Sequence, residues 1–332
     1  VEVTVVVDGW GSACGGNAVA ATLRRAGCRV RIYNRLLAVL VGRFCRNHRK
    51  VLLVDDDVAF LGGINISDEN VGSSERPGWA DLAVEIRGRP CALLGQMLRG
   101  EPLSDIGSSV RIHLCGPGGG WRLRRRYLEA FTKARRRIDL AQGYFLPDPG
   151  LLRAISEAAR RGVQVRLLLA GRSDVAFSRV ATRSLYRRLL KAGVAIYEWR
   201  ESVLHAKLAM IDGECLLMGS FNLDPFSLAN LETLVEVVDP SALEQGETWL
   251  RDHISCSHQV MAEEARPRVF RWIAEPFGRI VAYLVGTLGR ILSARKTPKN
   301  TPQDRADRTL QKADQATHCG SAQDHDHRVP KS

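Results

Sequence analysis

This sequence lacks paired cysteines, a long apolar run and any basic stretch interleaved with aromatics. Its eight cysteines (Cys14, Cys28, Cys45, Cys91, Cys115, Cys215, Cys256, Cys319) are scattered, and no two form a CxxC pair. That usage argues against a disulfide framework or a structural zinc site and fits reduced thiols in a cytosolic protein. No run of about eighteen uncharged apolar residues occurs, so no transmembrane helix is read. The first residues, VEVTVVVDG, carry no signal-peptide pattern and read as a core strand. Aromatic-interleaved basic stretches would suit stacking on single-stranded nucleic acid; their lack weighs against that substrate.

What is present is an ordinary globular composition, 45% hydrophobic and 25% charged over 332 residues, enough for two lobes with real cores. The charge balance is less ordinary. A formal net charge of +12 and a pI of about 9.6 point to an anionic partner: nucleic acid, an anionic membrane surface or a phosphate-bearing substrate.

Strand-like and helix-like runs alternate, which predicts an α/β fold. Strands are predicted at 3–7, 29–33, 51–54, 138–141, 163–169, 195–199 and 208–211, and helices at 18–26, 151–161 and 175–192. A long internal repeat organises them. A shift of 157 residues places His48, Lys50, Asp55, Gly62 and Asn65 on His205, Lys207, Asp212, Gly219 and Asn222. DLAVEI at 81–86 echoes ETLVEV at 232–237, and VEVTVVVDG echoes GVQVRLLLAG at 162–171. Residues 138–161 have no counterpart in the first half, so we expect that about 25 residues of the first repeat precede Val1.

Each repeat carries HxKxxxxD with Gly at +14 and Asn at +17 from the histidine. One such motif arises by chance in roughly a few per cent of chains this long; two with the same downstream spacing do not. His and Lys two apart on a strand share a face. Two repeats brought together would therefore surround one point with two imidazoles, two ammoniums and two amides. That set suits a phosphate: the cations and amides hold its oxygens, and the histidines flank phosphorus for attack and proton transfer. Paired lysines would repel a metal ion, so none is expected. Asp55 and Asp212 lie an odd number of residues from their histidines and should face away, in structural roles such as an ion pair or a turn cap. Asp81 and Glu232, matched by the repeat, are the better orienters: a carboxylate on the far ring nitrogen fixes the imidazole tautomer.

These residues resemble the phospholipase D superfamily and, within it, the bacterial cardiolipin synthase branch lacking N-terminal transmembrane helices. The markers are NHRKVLLVDDDVAFLGGIN (47–65), GYFLPDPGLLRAI (143–155), AARRGVQVRLLLAG (158–171) and LHAKLAMIDGECLLMGSFNLDPFSLANLE (204–232). The resemblance implies two pseudo-symmetric lobes, each a mixed β-sheet flanked by helices, with the active site at their interface. The first lobe should span 1–115 and the second 116–260, followed by an amphipathic segment at 261–293 and a disordered tail at 294–332. It also implies phosphatidyl transfer between two phosphatidylglycerol molecules, giving cardiolipin and glycerol, with no cofactor. By analogy His48 is the nucleophile and His205 the acid/base, with the roles reversible by symmetry. Lys50, Lys207, Asn65 and Asn222 would hold the phosphate with help from Ser220, whose mate is Gly63. The expected partners are phosphatidylglycerol and a membrane surface, with no nucleic acid, and the expected place is the cytoplasmic face of the bacterial inner membrane, peripherally bound. The basic segment Trp121–Arg137 reads as a helix suited to anionic lipid, and 267–293 as an interfacial helix or a docked one. Competing readings are a hydrolase or nuclease of the same superfamily, for which the positive charge would serve backbone contact, and a non-catalytic scaffold on anionic lipid.

Overall fold

The computed structural model describes residues 1–9, 11–12, 16–33, 45–100 and 110–265. The amphipathic segment from residue 266 and the tail lie outside them. The first half comprises β1 (Thr4–Asp8), α1 (Gly16–Arg25), β2 (Arg29–Tyr33), β3 (Val51–Val54), β4 (Val58–Gly62), α2 (Asp68–Val71), β5 (Ala83–Arg87) and α3 (Arg89–Arg99). The second comprises β6 (Val110–Leu114), α4 (Gly120–Lys133), β7 (Arg137–Gln142), α5 (Pro149–Arg160), β8 (Gln164–Ala170), α6 (Ala176–Ser184), α7 (Tyr186–Lys191) and β9 (Ala195–Trp199). It continues with β10 (Lys207–Ile211), β11 (Cys215–Gly219), β12 (Thr233–Val237), α8 (Pro240–Ser255) and β13 (His258–Gln259). This is the predicted α/β fold. Among the described residues, no helix is long and apolar enough to cross a membrane.

The second half forms an eight-stranded mixed sheet in the order β13-β9-β8-β7-β10-β11-β12-β6. Strands β7, β8 and β9 run parallel, joined through α5 and through α6–α7, and β10 returns antiparallel to β7. Asp148 starts α5 by accepting the backbone N–H groups of Gly150 and Leu151, with Pro149 at the first helical position. The strands are apolar on both faces because both faces are covered. In β10, Ala209 and Ile211 join the core under α4 and α5, whereas Leu208 and Met210 join the core shared with the first half. That second core contains Ala59, Leu61, Ile86 and Leu94, so β4, β5 and α3 pack across this face of the large sheet. The first half's own sheets are smaller: β1 pairs with β2, and β3-β4-β5 form an antiparallel meander.

Two predicted helices are modified. The run 175–192 is two helices that break at Leu185, where the Ser184 hydroxyl turns back to the Ala181 carbonyl at 2.7 Å and competes with the next helical turn. The basic run 121–137 is helical only to Lys133; Ala134 is extended (ψ 136°) and Arg137 already opens β7. Its arginines are held by carboxylates of the fold: Arg124 by Asp148, Arg126 by Glu236, Arg125 by Glu129, Arg136 by Glu214 and Arg137 by Glu247. Arg124, Arg126 and Arg137 are tied to other parts of the fold, whereas the Arg125–Glu129 and Arg136–Glu214 pairs are exposed.

The motif aspartates open left-handed hairpin turns. Asp55 and Asp56 (φ 52° and 54°) link β3 to β4, and Asp212 and Gly213 (φ 56° and 73°) link β10 to β11. Asp212 also accepts the backbone N–H groups of Arg135, Arg136 and Arg137 at 2.9, 2.7 and 2.8 Å, anchoring the start of β7. Asp212→Ala is expected to lose about 2 kcal/mol of stability, since hydrogen bonds to a charged group are involved. The thermal midpoint should fall by roughly 5 °C, with the pH profile of any activity unchanged.

Candidate active site

Two short backbone bridges join the halves, and each positions one motif histidine. The His48 N–H donates to the Leu231 carbonyl at 2.9 Å, and Leu231 N–H donates to the Arg46 carbonyl at 2.8 Å. Correspondingly, the His205 N–H donates to the Ala80 carbonyl at 2.8 Å, and Ala80 N–H to the Val203 carbonyl at 2.9 Å. The residue that follows each of the two whose carbonyl accepts a histidine N–H, Leu231 or Ala80, is a carboxylate, Glu232 or Asp81. Each bridge therefore sets that carboxylate beside a histidine of the opposite half. His48 Nδ1 lies 3.0 and 3.1 Å from the two Glu232 oxygens, and His205 Nδ1 lies 2.7 Å from Asp81 Oδ2. With Nδ1–H donating to a carboxylate, each imidazole keeps its Nε2 lone pair for chemistry.

The lysines repeat the pattern. Lys50 Nζ donates to the carbonyl of His48 at 2.9 Å, and Lys207 Nζ donates to the carbonyl of His205. Lys50 and Lys207 repel one another, and each also acts on the histidine of the other repeat, which brings all four groups into one electrostatic site. The motif asparagines are fixed alike: the side chain five residues on accepts the backbone N–H, Asn70 for Asn65 and Ser227 for Asn222. Asn222 Oδ1 is buried with no hydrogen-bond partner among the described residues.

Burial governs the protonation of the site. It lowers the His205 pKa to about 4, with Lys207 adding to the effect, and it also lowers His48. Both imidazoles are therefore neutral at pH 7 before substrate arrives. Burial and the neighbouring ammonium bring Lys50 down to about 7, and burial brings Lys207 to about 8, where Asp81 and Glu232 hold it up. Burial by itself would raise Glu232, but His48 and hydrogen bonding keep its carboxyl below the ordinary value. Glu232 and His48 thus form a charged carboxylate holding a neutral ring.

Ser220, expected to help hold the phosphate, has its hydroxyl committed within the fold. Its hydroxyl is fully buried, donates to Glu232 Oε2 at 2.5 Å and accepts the Thr233 N–H at 2.9 Å. It braces the carboxylate behind His48. The first-half mate, Gly63, has no such hydroxyl because the shorter Asp81 occupies that space: a Cβ at Gly63 would collide with the Asp81 carboxylate. The Gly63/Ser220 mismatch in the repeat was the available signal, with Asp81/Glu232 as its complement. Three aromatic or acidic neighbours were missed from sequence. Trp79 tilts against the His205 ring at 5.1 Å, Tyr144 meets it edge-on at 6.0 Å, and Asp224 is a buried carboxyl whose pKa burial raises to about 6. Tyr144 and Asp224 lay in the GYF and NLDP runs and Trp79 two residues before Asp81, with no periodicity to mark any of them.

Fold and site together define a two-lobed protein of the phospholipase D superfamily. Over residues 127–254 the chain matches the family described as "Cardiolipin synthase, PLD-like domain". It is 36% identical to cardiolipin synthase B of Salmonella typhi over 266 residues, covering 72% of this chain and 64% of that protein. It is 33% identical to cardiolipin synthase B of Escherichia coli O6:H1 over 299 residues, covering 82% of this chain and 72% of the relative. Among solved structures, phosphatidylserine synthase of Haemophilus influenzae shares the fold, with a TM-score of 0.61 at 14% identity over 74% of this chain and 71% of that one. The chain belongs to the cardiolipin synthase family of phospholipase D-like proteins, although it spans slightly under two thirds of the length of the Salmonella relative.

Two outcomes are expected. Gly63→Ala should push Asp81 off His205 and lower turnover at least tenfold while the protein stays folded, and the His205 ring-nitrogen NMR signals should report the lost Nδ1 partner. For the free protein, an anion such as tungstate favours charged lysines, so its binding raises their depressed pKa values and takes up protons. Calorimetry in two buffers of different ionisation enthalpy should show that uptake between about pH 7 and 9, with affinity falling as pH rises through this window. Lys50→Met should weaken binding and reduce the uptake.

Proposed function

We propose that the protein is a phosphatidyltransferase that makes cardiolipin from two phosphatidylglycerol molecules. The observation that carries this reading is the pair of histidines, each with its Nδ1 on a carboxylate of the opposite half and both acted on by one pair of lysines, half-buried Lys50 and buried Lys207. His48 Nε2 attacks the phosphorus of the first phosphatidylglycerol. A P–N bond forms, the P–O bond to the terminal glycerol breaks, and that oxygen leaves with a proton supplied by His205. His205 then accepts the proton of a hydroxyl on the second phosphatidylglycerol. The new oxygen attacks phosphorus, the P–N bond breaks and cardiolipin departs with His48 restored. For the first step His205 must carry a proton, and the phosphodiester anion raises its pKa on binding.

The assignment of His48 as nucleophile is supported by exposure: its side chain is 17% accessible, against 5% for His205. Lys50, Lys207, Asn65 and Asn222 hold the phosphoryl oxygens and stabilise their developing charge. Asp81 and Glu232 fix the rings, and Ser220 fixes Glu232. The names of the family relatives support lipid over nucleic acid as the substrate. We place the protein peripherally at the cytoplasmic face of the bacterial inner membrane, and treat its two halves as lobes that divide before β6, which pairs with β12, rather than after residue 115 as the sequence suggested.

Turnover of phosphatidylglycerol in mixed micelles without added metal tests this reading. Cardiolipin and free glycerol should form, and His48→Ala and His205→Ala should each lose at least about a thousandfold, as removal of a nucleophile or its proton partner does. With an activated p-nitrophenyl phosphodiester, whose leaving group needs no acid, His205→Ala should accumulate a phosphohistidine adduct on His48 that mass spectrometry detects. Phosphatidic acid as the main product would make the protein a hydrolase instead. Absence of any lipid turnover by folded protein would refute the reading.

A further inference from the structure

Tyr144 and Asp174 form a device beside His205 that the phosphate chemistry leaves unused. Tyr144 follows β7 and Asp174 follows β8; these strands are parallel neighbours, so both residues leave the same edge of the sheet. His205 stands at that edge too, because β10 runs antiparallel to β7 with Lys207 opposite Gln142. In open α/β sheets this carboxyl edge is where ligands sit. The Tyr144 ring meets His205 at 90° with centroids 6.0 Å apart, and Lys207 Nζ lies 5.9 Å from its centroid. Its hydroxyl donates to Asp174, 2.7 Å from each carboxylate oxygen. Asp174 itself is exposed, and its charge is among those that hold Lys207 protonated.

The hydrogen-bond inventory decides what such a pair can bind. The phenolic proton is committed to the carboxylate, so the surface that remains consists of lone pairs on Asp174 and on the Tyr144 oxygen. An acceptor-only surface repels phosphate oxygens and takes donors. Trp79 also lies against His205, with ring centroids 5.1 Å apart and planes tilted by 44°.

We infer that Tyr144 and Asp174 form the subsite for the hydroxyl-bearing alcohol, holding the glycerol headgroup as it leaves and then the glycerol of the acceptor lipid. This rests on the transfer reading above and adds two specificity-determining residues to it. The subsite would hold the remaining glycerol hydroxyl by donation to Asp174 while the reacting one faces His205. Water and simple alcohols carry no second hydroxyl, so they gain nothing from it. Transfer to a polyol over hydrolysis is then a property of this pair and not of the histidines.

The test reads a ratio within one reaction, which is independent of how much active protein is present. Wild type, Asp174→Ala and Tyr144→Phe are supplied with phosphatidylglycerol in mixed micelles and a mixture of labelled glycerol, ethanol and ethanolamine. The ratio of phosphatidyl transfer to glycerol over transfer to ethanol should fall about tenfold in Asp174→Ala, the scale of one hydrogen bond to a charged group. It should fall less in Tyr144→Phe, and phosphatidic acid should rise at the expense of cardiolipin in both. An unchanged ratio in both variants, or a loss confined to ethanolamine, overturns this inference alone. Lack of any phosphatidyl product with wild type overturns the functional reading along with it. Should a variant be folded but inactive, equilibrium binding followed by tryptophan fluorescence decides. Wild type should bind glycerol phosphate more tightly than ethyl phosphate, and the preference should vanish in Asp174→Ala; equal preference in both proteins overturns the subsite.

Discussion

The site depends on an exchange: each half of the chain supplies a histidine and receives from the other half the carboxylate that orients it. The backbone bridges at Leu231 and Ala80 make this exchange geometric, since the same strand-like contact that accepts a histidine's N–H delivers the carboxylate to its ring. A histidine whose Nδ1–H has no acceptor would sample both tautomers and lose its fixed lone pair. Neither half therefore holds a working imidazole by itself. The face-to-face core of Ala59, Leu61, Ile86 and Leu94 against the large sheet keeps the exchange in register. Packing between the halves and tautomer control at the site are in this sense one constraint.

The charges in the site are balanced before a substrate enters. Two ammoniums, Lys50 and Lys207, stand with two carboxylates, Asp81 and Glu232, and the imidazoles are kept neutral by burial. Each of these ions would be costly to bury unpaired. An incoming phosphodiester anion favours the charged form of every base around it, so the depressed lysines take up protons first and an imidazole, lower in pKa, only after them. Binding and protonation of the site are thereby coupled.

Much of this was legible in the sequence. The repeat gave both histidines, both lysines and both asparagines by spacing alone, and matching 81–86 to 232–237 gave the orienting carboxylates. The α/β alternation placed the seven strands it named to within a residue, and left β4, β5, β6, β11, β12 and β13 unnamed. What escaped had no repeat to reveal it. The Ser220 hydroxyl could be assigned to Glu232 only once the Gly63/Asp81 and Ser220/Glu232 pairs were seen to compensate in volume. The break at Leu185 depends on a hydroxyl turning back within the helix, against a pattern of apolar residues that runs straight through. The arginines of α4 found partners as far along the chain as Glu236, which no local pattern encodes.

The two left-handed turns give the spacing of the motif a meaning apart from chemistry. Lys50 and Lys207 begin runs that end at Asp55 and Asp212, the first residues of the hairpins, so the four intervening residues are the length of one strand. The motif is in part a ruler. It measures from the histidine and lysine to a chain reversal, and one residue more or less would turn the lysine to the opposite face of its sheet. An aspartate set in a turn is therefore bound to a fixed distance from the paired histidines and lysines, and the spacing records how deep the sheet is beneath them.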